Sequence, residues 1–217
     1  MKLYHHPVSS YSQKALMAFY EKGIDFEPAV VNLMTPEGRA EYAKLNPLEK
    51  IPFLKDEARD WAVPESTIII EYLEDTFPDQ GTRLIPTDKT LARQTRFLDR
   101  MFDLYLNDQV QKILFDSRRP EAQRDALGVE TAKKRLHAFY SLMDKDMGKR
   151  TWAIGDDFSM ADCAAASPLF YAKKVFPYDD HPNIVAYAKR LHERPSYNGI
   201  LEQALPILEK LAANLAK

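Results

Sequence analysis

Lys2-Leu3-Tyr4-His5-His6-Pro7-Val8-Ser9-Ser10-Tyr11-Ser12-Gln13-Lys14 is the stretch that decides the fold. Its first residues alternate apolar and polar until Pro7 stops them, the pattern of a short strand entering a turn. From about Tyr11 the period changes. Ala15, Leu16, Ala18 and Phe19 recur at helical spacing, and Gly23 stands where a helix C-cap would. Outward from this strand-turn-helix, Phe26 to Leu33 is strand-like around Val30 and Val31, and Pro36 to Leu45 reads as a short helix. Pro52-Phe53-Leu54-Lys55 and Trp61-Ala62-Val63 form a hairpin pattern across Glu57 to Asp60. Glu65 to Phe77 is a third helix, with Ile68, Ile69, Tyr72 and Leu73 on one side. Residues 1–78 therefore read β-α-β-α-β-β-α, a small α/β domain.

Residues 79–86, Asp79 to Pro86, carry no period and read as an interdomain linker. Residues 87–217 read as all-helical. Leu91, Thr95, Leu98, Phe102 and Tyr105 recur every three or four residues, followed by Val110, Ile113 and Leu114. Further helices are expected from Pro120 to Met147, Ala161 to Phe176, Pro182 to Glu193 and Tyr197 to Leu215.

Composition narrows the function classes. With 45% apolar and 29% charged residues, the 217-residue chain is globular rather than disordered. Its 30 basic and 32 acidic residues leave a net charge of −2, so no global field favours nucleic acid or an anionic membrane. No run approaches the ~18 apolar residues of a membrane span, and the N-terminus lacks the apolar core of a signal peptide. The one cysteine, Cys163, excludes an internal disulfide framework and a CxxC redox pair. The expectation is a cytoplasmic protein. The five histidines show no metal-ligand spacing and no glycine-rich phosphate loop occurs, so neither a metal nor a nucleotide is expected.

Four motifs remain. Ser9, Ser10, Tyr11 and Ser12 crowd a strand-to-helix turn, where backbone N–H groups are unpaired and the helix dipole favours negative charge. A hydroxyl held there either caps the helix or donates to a thiolate or oxyanion. In Asn46-Pro47-Leu48-Glu49-Lys50-Ile51-Pro52-Phe53-Leu54, Pro52 opens a strand. A trans bond makes it an ordinary strand start; a cis bond turns the Ile51 peptide group outward, ready to pair with an extended peptide. In Pro64-Glu65-Ser66-Thr67, Ser66 is placed to cap the next helix or to bind a carboxylate at its positive end, and Glu65 to pair with an ammonium. Ser159 and Asp162 fit a capping box, and Cys163 beside them fits a small core residue.

The order and spacing of these segments resemble the cytosolic glutathione transferase family along essentially the whole chain. The matching residues are Leu3-Tyr4, Ser9 to Lys14, Asn46-Pro47 with Lys50 to Leu54, Glu65-Ser66 with Ile69 and Glu71-Tyr72-Leu73, Ser159 to Asp162, and late in the chain Arg190-Leu191 and Arg194-Pro195-Ser196. Ser9 to Lys14 also looks like a glutaredoxin CPYCxK motif with serine at both cysteine positions, the pattern of serine-type, theta- and zeta-like classes. The resemblance implies a thioredoxin-like N-terminal domain, an all-α C-terminal domain, a homodimer and a role in detoxification. It implies glutathione as co-substrate, with Ser9 hydrogen-bonding the sulfur, Ile51 pairing with the cysteinyl part, Glu65 and Ser66 holding the γ-glutamyl end, and Lys50 the glycine carboxylate. Ser10 and Tyr11 contest the role of Ser9. A small hydrophobic electrophile would be attacked, with Tyr11, Met101, Phe102, Tyr105 and Phe115 as candidates for its pocket. Asp99 and Asp103 are placed to reach a partner subunit's glutathione, or to form a solvated helix face. Glutathione-dependent isomerases, dehalogenases and reductases use the same thiolate, and non-catalytic binding modules share the fold. Two departures stand out: Glu49, where the family usually has glycine, and the doubled His5-His6 before the site, either ring of which could replace Lys50 or face the second substrate.

Overall fold

A computed structural model describes residues 1–215, with side chains through residue 213. The chain divides into two units, one of Met1–Leu84 with the chain from Pro195 on, the other of Ile85–Arg194. In the first unit the elements run β1 (Lys2–His5), α1 (Ser10–Lys22), β2 (Glu27–Val30), α2 (Pro36–Ala43), β3 (Phe53–Asp56), β4 (Trp61–Val63) and α3 (Ser66–Thr76). The sheet order is β2-β1-β3-β4. β1 runs parallel to β2, whereas β3 runs antiparallel to both β1 and β4.

Alternation along β1 separates the two faces of this sheet. Leu3 and His5 are buried on one face, where Leu3 lies opposite the equally buried Leu54. Tyr4 lies on the other face, opposite Phe53, in a cluster with Tyr42 of α2 and Val31. α1 is capped at both ends. Ser9 has extended backbone and its Oγ accepts the Ser12 N–H, while Gly23 closes the helix at φ 62°, a left-handed conformation that favours glycine.

Residues 79–84 are part of the first unit rather than a free connection. Gly81 passes so close to α1 that an added Cβ would lie 2.4 Å from the Glu21 carbonyl oxygen. Thr82 donates through its N–H to that same oxygen, and the Leu84 N–H donates to Glu74 Oε1. The last helix, α9 (Pro195–Leu215), also departs from its expected place in the helical domain: it packs on α1 of the first unit. The reason is its buried face of Tyr197, Ile200, Leu201 and Ala204, together with the Ser196 and Tyr197 hydroxyls, which bond to Glu21 and Gln13 of α1.

The second unit holds α4 (Lys89–Met101), a π-helical turn (Phe102–Asn107), α5 (Asp108–Asp116), α6 (Ala126–Met147), α7 (Met160–Val175) and α8 (Pro182–Glu193). α6 begins six residues later than Pro120, because Asp125 supplies the cap by accepting the Gly128 N–H. Along α4 the buried stripe is Ala92, Thr95 and Asp99, so Leu91, expected inside, is exposed. The π turn adds a residue to the helical repeat and leaves Tyr105 outside as well. The capping box at α7 is formed: Asp162 accepts the Ser159 N–H at 2.8 Å and also the Tyr187 hydroxyl at 2.7 Å. Burial pushes the Asp162 pKa up against these bonds. Cys163 is a buried core residue. Among the described residues no helix is long and apolar enough to cross a membrane.

Candidate active site

Strand direction gathers three of the sequence motifs at one end of the sheet. β3 is antiparallel to its neighbours β1 and β4, so the turn leaving β1, the segment entering β3 and the loop leaving β4 emerge together. These carry Ser9, Ile51 and Glu65-Ser66 respectively. β1 and β4 flank β3, and two strand spacings of ~4.8 Å put them ~10 Å apart. Three extended residues reach about as far.

Ser9 sits half-buried at the head of α1. The turn before it is held tightly: Ser9 N–H donates to the His6 carbonyl at 2.9 Å, Val8 N–H to His6 Nδ1 at 3.3 Å, and His6 N–H to Ser12 Oγ at 3.3 Å. Ser9 Oγ accepts the Ser12 N–H through a lone pair, and its own proton meets no acceptor among the described residues. Capping and donation are thus compatible in one hydroxyl. Ser12 is fully buried inside the turn, and Ser10 is buried too, while Tyr11 is half-buried in the first turn of the helix.

The Ile51–Pro52 bond is cis. The loop before it is fixed by Tyr42 and Asn46, whose hydroxyl and Nδ2 both donate to the Lys50 carbonyl at 2.8 and 2.9 Å. Asn46 also accepts the Leu48 N–H. Neither the N–H nor the C=O of Ile51 is paired among the described residues. A main-chain donor and acceptor left open at a sheet end are a template for an extended peptide. Lys50 is exposed and its ammonium makes no ion pair among the described residues. Glu49 has φ 51°, so glycine's usual place in this loop is a left-handed position. Its carboxylate is turned to Arg39 at 3.4 Å.

At the third segment the structure differs from the sequence reading in one detail. Glu65, with extended backbone, is the N-cap of α3 and makes no side-chain capping bond; Ser66 is the first helical residue, one position further in. The expected cap fails because Glu65 already takes the half-in position, its carbonyl accepting the Ile69 N–H at 2.8 Å. Ser66 is buried and its N–H has no partner among the described residues, while the Glu65 side chain is exposed. An open N–H at a helix start suits a carboxylate, and the exposed Glu65 an ammonium. Below them the buried Lys14 ammonium donates to Thr67 Oγ1 at 2.8 Å, adding positive charge beneath the same helix start. The only sequence signal for this was a lysine on the apolar side of α1.

Other expectations change. His5 is buried against Phe26 with ring centroids 6.4 Å apart, so it faces neither Lys50 nor a second substrate. Burial lowers its pKa, as it does that of His6, whose Nδ1 is occupied by Val8. Phe102 is 2% exposed and packs edge-on against Phe139 in the core of the second unit, leaving no surface for a ligand. Tyr105 and Phe115 are exposed and Met101 half-buried on that unit. Asp99 and Asp103 are buried there, and neither presents a surface to a partner. Among the described residues no cluster of acids, histidines or cysteines is set to hold a metal.

A four-stranded β2-β1-β3-β4 sheet flanked by helices, with an open peptide group at one end and a helical unit after it, is the architecture of a thioredoxin-like domain joined to an all-helical one. Residues 3–81 match the glutathione S-transferase N-terminal domain and residues 116–190 the C-terminal domain. The chain is 26% identical over 214 residues to glutathione S-transferase F6 of Arabidopsis thaliana, covering 93% of this chain and 99% of that one. It resembles the crystal structure of a glutathione S-transferase from Methylobacterium radiotolerans in complex with glutathione sulfonate, at 30% identity and TM-score 0.76, over 91% of this chain and 92% of that one. A Methylobacillus flagellatus glutathione S-transferase solved with glutathione bound superposes at TM-score 0.81 and 28% identity, over 92% and 98% of the two chains. The chain belongs to the glutathione S-transferase family.

Proposed function

We propose that the protein is a glutathione transferase that ionises the glutathione thiol beside Ser9 and adds it to a small hydrophobic electrophile. The observation that carries this reading is the open peptide group of Ile51, between the Ser9 turn and the start of α3. In this reading the cysteinyl main chain pairs with Ile51 as an added strand. The γ-glutamyl carboxylate meets Ser66 at the α3 start, its ammonium meets Glu65, and Lys50 takes the glycine carboxylate.

A free thiol of pKa ~8.5 is only about 3% ionised at pH 7. Moving it to ~6.5 requires ~2.7 kcal/mol of preference for the thiolate. One hydroxyl donating to a charged acceptor contributes ~1.5–3 kcal/mol, and the α1 start adds ~0.3–1. The thiol proton leaves to water. The sulfur lone pair then forms the new carbon–sulfur bond, and halide or another leaving group departs with the electron pair of the bond that breaks.

The lead reading also includes a homodimer in the cytoplasm; light scattering at micromolar concentration, giving twice the chain mass, tests the dimer. A purely binding role is separated from catalysis by turnover of an aryl halide. For the site itself, Glu65→Gln combined with Ser66→Ala should weaken glutathione binding by at least about 10-fold, since two charged-end contacts are lost together. Unchanged affinity by calorimetry would mean that glutathione lies elsewhere.

A further inference from the structure

Two buried side chains that this chemistry does not use connect the chain's last helix to the turn carrying Ser9. Gln13 of α1 is fully buried. Its Nε2 donates to the Pro7 carbonyl at 2.6 Å, and its Oε1 accepts the Tyr197 hydroxyl at 3.0 Å. Tyr197, in the first turn of α9, is fully buried as well. Only Val8 separates Pro7 from Ser9.

The amide has one donating and one accepting end, so the two bonds determine each other. The Pro7 carbonyl demands the NH2 end, which leaves the oxygen for the phenol. Without the phenol, the buried oxygen loses its donor and the amide loses the contact that holds its NH2 on Pro7. The start of α9 is anchored separately, by the Ser196 hydroxyl on Glu21, whose other oxygen accepts from Thr82 at 2.8 Å. The Ser196 contact thus holds the start of α9 independently of the bond between Tyr197 and Gln13.

Resting on the reading of Ser9 as the thiol's donor, we propose that Gln13 and Tyr197 are positioning residues for thiol activation. The first turn of α9 sets the aim of the Ser9 hydroxyl by pinning the Pro7 carbonyl. Neither residue touches glutathione; they act through the turn. Small displacements of a reacting group are costly, up to about 100-fold for 1 Å.

The test uses the full chain and reads the pKa of the enzyme-bound glutathione thiol by ultraviolet titration of the thiolate, with kcat and KM for glutathione and an aryl halide. Tyr197→Phe and Gln13→Glu should each raise the bound thiol pKa by about 0.5–1 unit and lower kcat about 5- to 30-fold, with KM for glutathione within about 2-fold. Ser196→Ala, which loosens α9 without touching Gln13, should lower the melting temperature and leave the thiol pKa in place. In a Ser9→Ala background, Tyr197→Phe should move the thiol pKa no further. If Tyr197→Phe does not fold, Gln13→Glu, which keeps an acceptor for Tyr197 but repels the Pro7 carbonyl, carries the test. A lower melting temperature with an unmoved thiol pKa in the folded variants overturns the proposal, leaving the pair a packing role. If Ser9→Ala raises the pKa and these variants do not, the clamp alone fails. If Ser9→Ala itself leaves the pKa unmoved, the Ser9 reading falls and the clamp with it.

Discussion

Ser9 Oγ accepts the amide of Ser12 at 3.3 Å, so one hydroxyl caps α1 with a lone pair and keeps its proton for a ligand. Ser9→Ala removes both functions. The cap is worth about 1 kcal/mol of stability. The donor is worth about 10- to 1000-fold in turnover, the scale of losing one hydrogen bond to a developing or resident anion. Glutathione affinity should change far less, because Ile51, Glu65 and Ser66 keep their partners. Assayed with a reactive aryl halide from pH 6 to 9, Ser9→Ala should lose rate and shift its profile to higher pH, whereas Tyr11→Phe should retain both. The reverse pattern would hand the role to the tyrosine.

Glu49 holds a left-handed conformation that costs a side-chain-bearing residue ~1–2 kcal/mol. Its ion pair with Arg39 is largely solvated, with 54% and 39% side-chain exposure, and compensates little. Glu49→Gly should therefore stabilise the protein by about 0.5–1 kcal/mol after the glycine's extra unfolded-state entropy. The melting temperature should rise about 2 °C. A fall would mean that the Arg39 pair matters more than the backbone strain.

The α/β order of the first unit was legible because each element carries its own local signal: Pro7 and Pro52 at strand boundaries, Gly23 at a C-cap, alternation in Trp61-Ala62-Val63. The grouping of Ser9, Ile51 and Ser66 came from the family resemblance rather than from that order, which fixes neither strand neighbours nor strand direction. What escaped were features set by distant partners. Nothing local in Tyr197 says that it packs on α1 rather than on the helix before it, since the contact spans 184 residues. Along α4 and the π turn the helical period picked out Thr95 and Phe102, which are buried, but missed Asp99, a charged residue on the buried stripe, and included Leu91 and Tyr105, which are exposed. Ser66 was misplaced by one residue because serine is a good cap and glutamate a poor one, yet the backbone turns at Glu65.

His5 is a buried imidazole with neither ring nitrogen bonded among the described residues. Burial, then the neighbouring His6, lowers its pKa from 6.5. His6 and His192 are also lowered, chiefly by burial. A histidine with a depressed folded pKa binds its proton more readily when unfolded. Its stabilising contribution is thus full above pH 6.5 and lost as pH falls from there through the folded pKa. Denaturant midpoints should decline from pH 7 to pH 5. His5→Leu should flatten part of that decline and leave the protein equally or more stable at pH 7, because no hydrogen bond is lost. An unaltered pH slope in His5→Leu would assign the decline to the other histidines.

Lys22 and Glu74 form a buried ion pair at 2.7 Å, with side-chain exposures of 0% and 6%. The same Glu74 oxygen accepts the Leu84 N–H at 2.9 Å, so the carboxylate holds both the end of α1 and the residues just before the second unit. Glu74→Ala strands the Lys22 ammonium in the interior and should cost about 3–5 kcal/mol. Removing both charges, as Lys22→Met with Glu74→Leu, abolishes that stranded charge but leaves the Leu84 N–H without its acceptor. The double variant should therefore recover only part of the loss, remaining about 1–3 kcal/mol below the parent. The two losses then fail to add, which is the signature of a direct pair. Urea unfolding of Glu74→Ala, of Lys22→Met alone and of the double variant measures each term. A cost below about 1 kcal/mol for Glu74→Ala would show that the pair is reached by water, and full recovery in the double variant would show that the Leu84 bond contributes nothing.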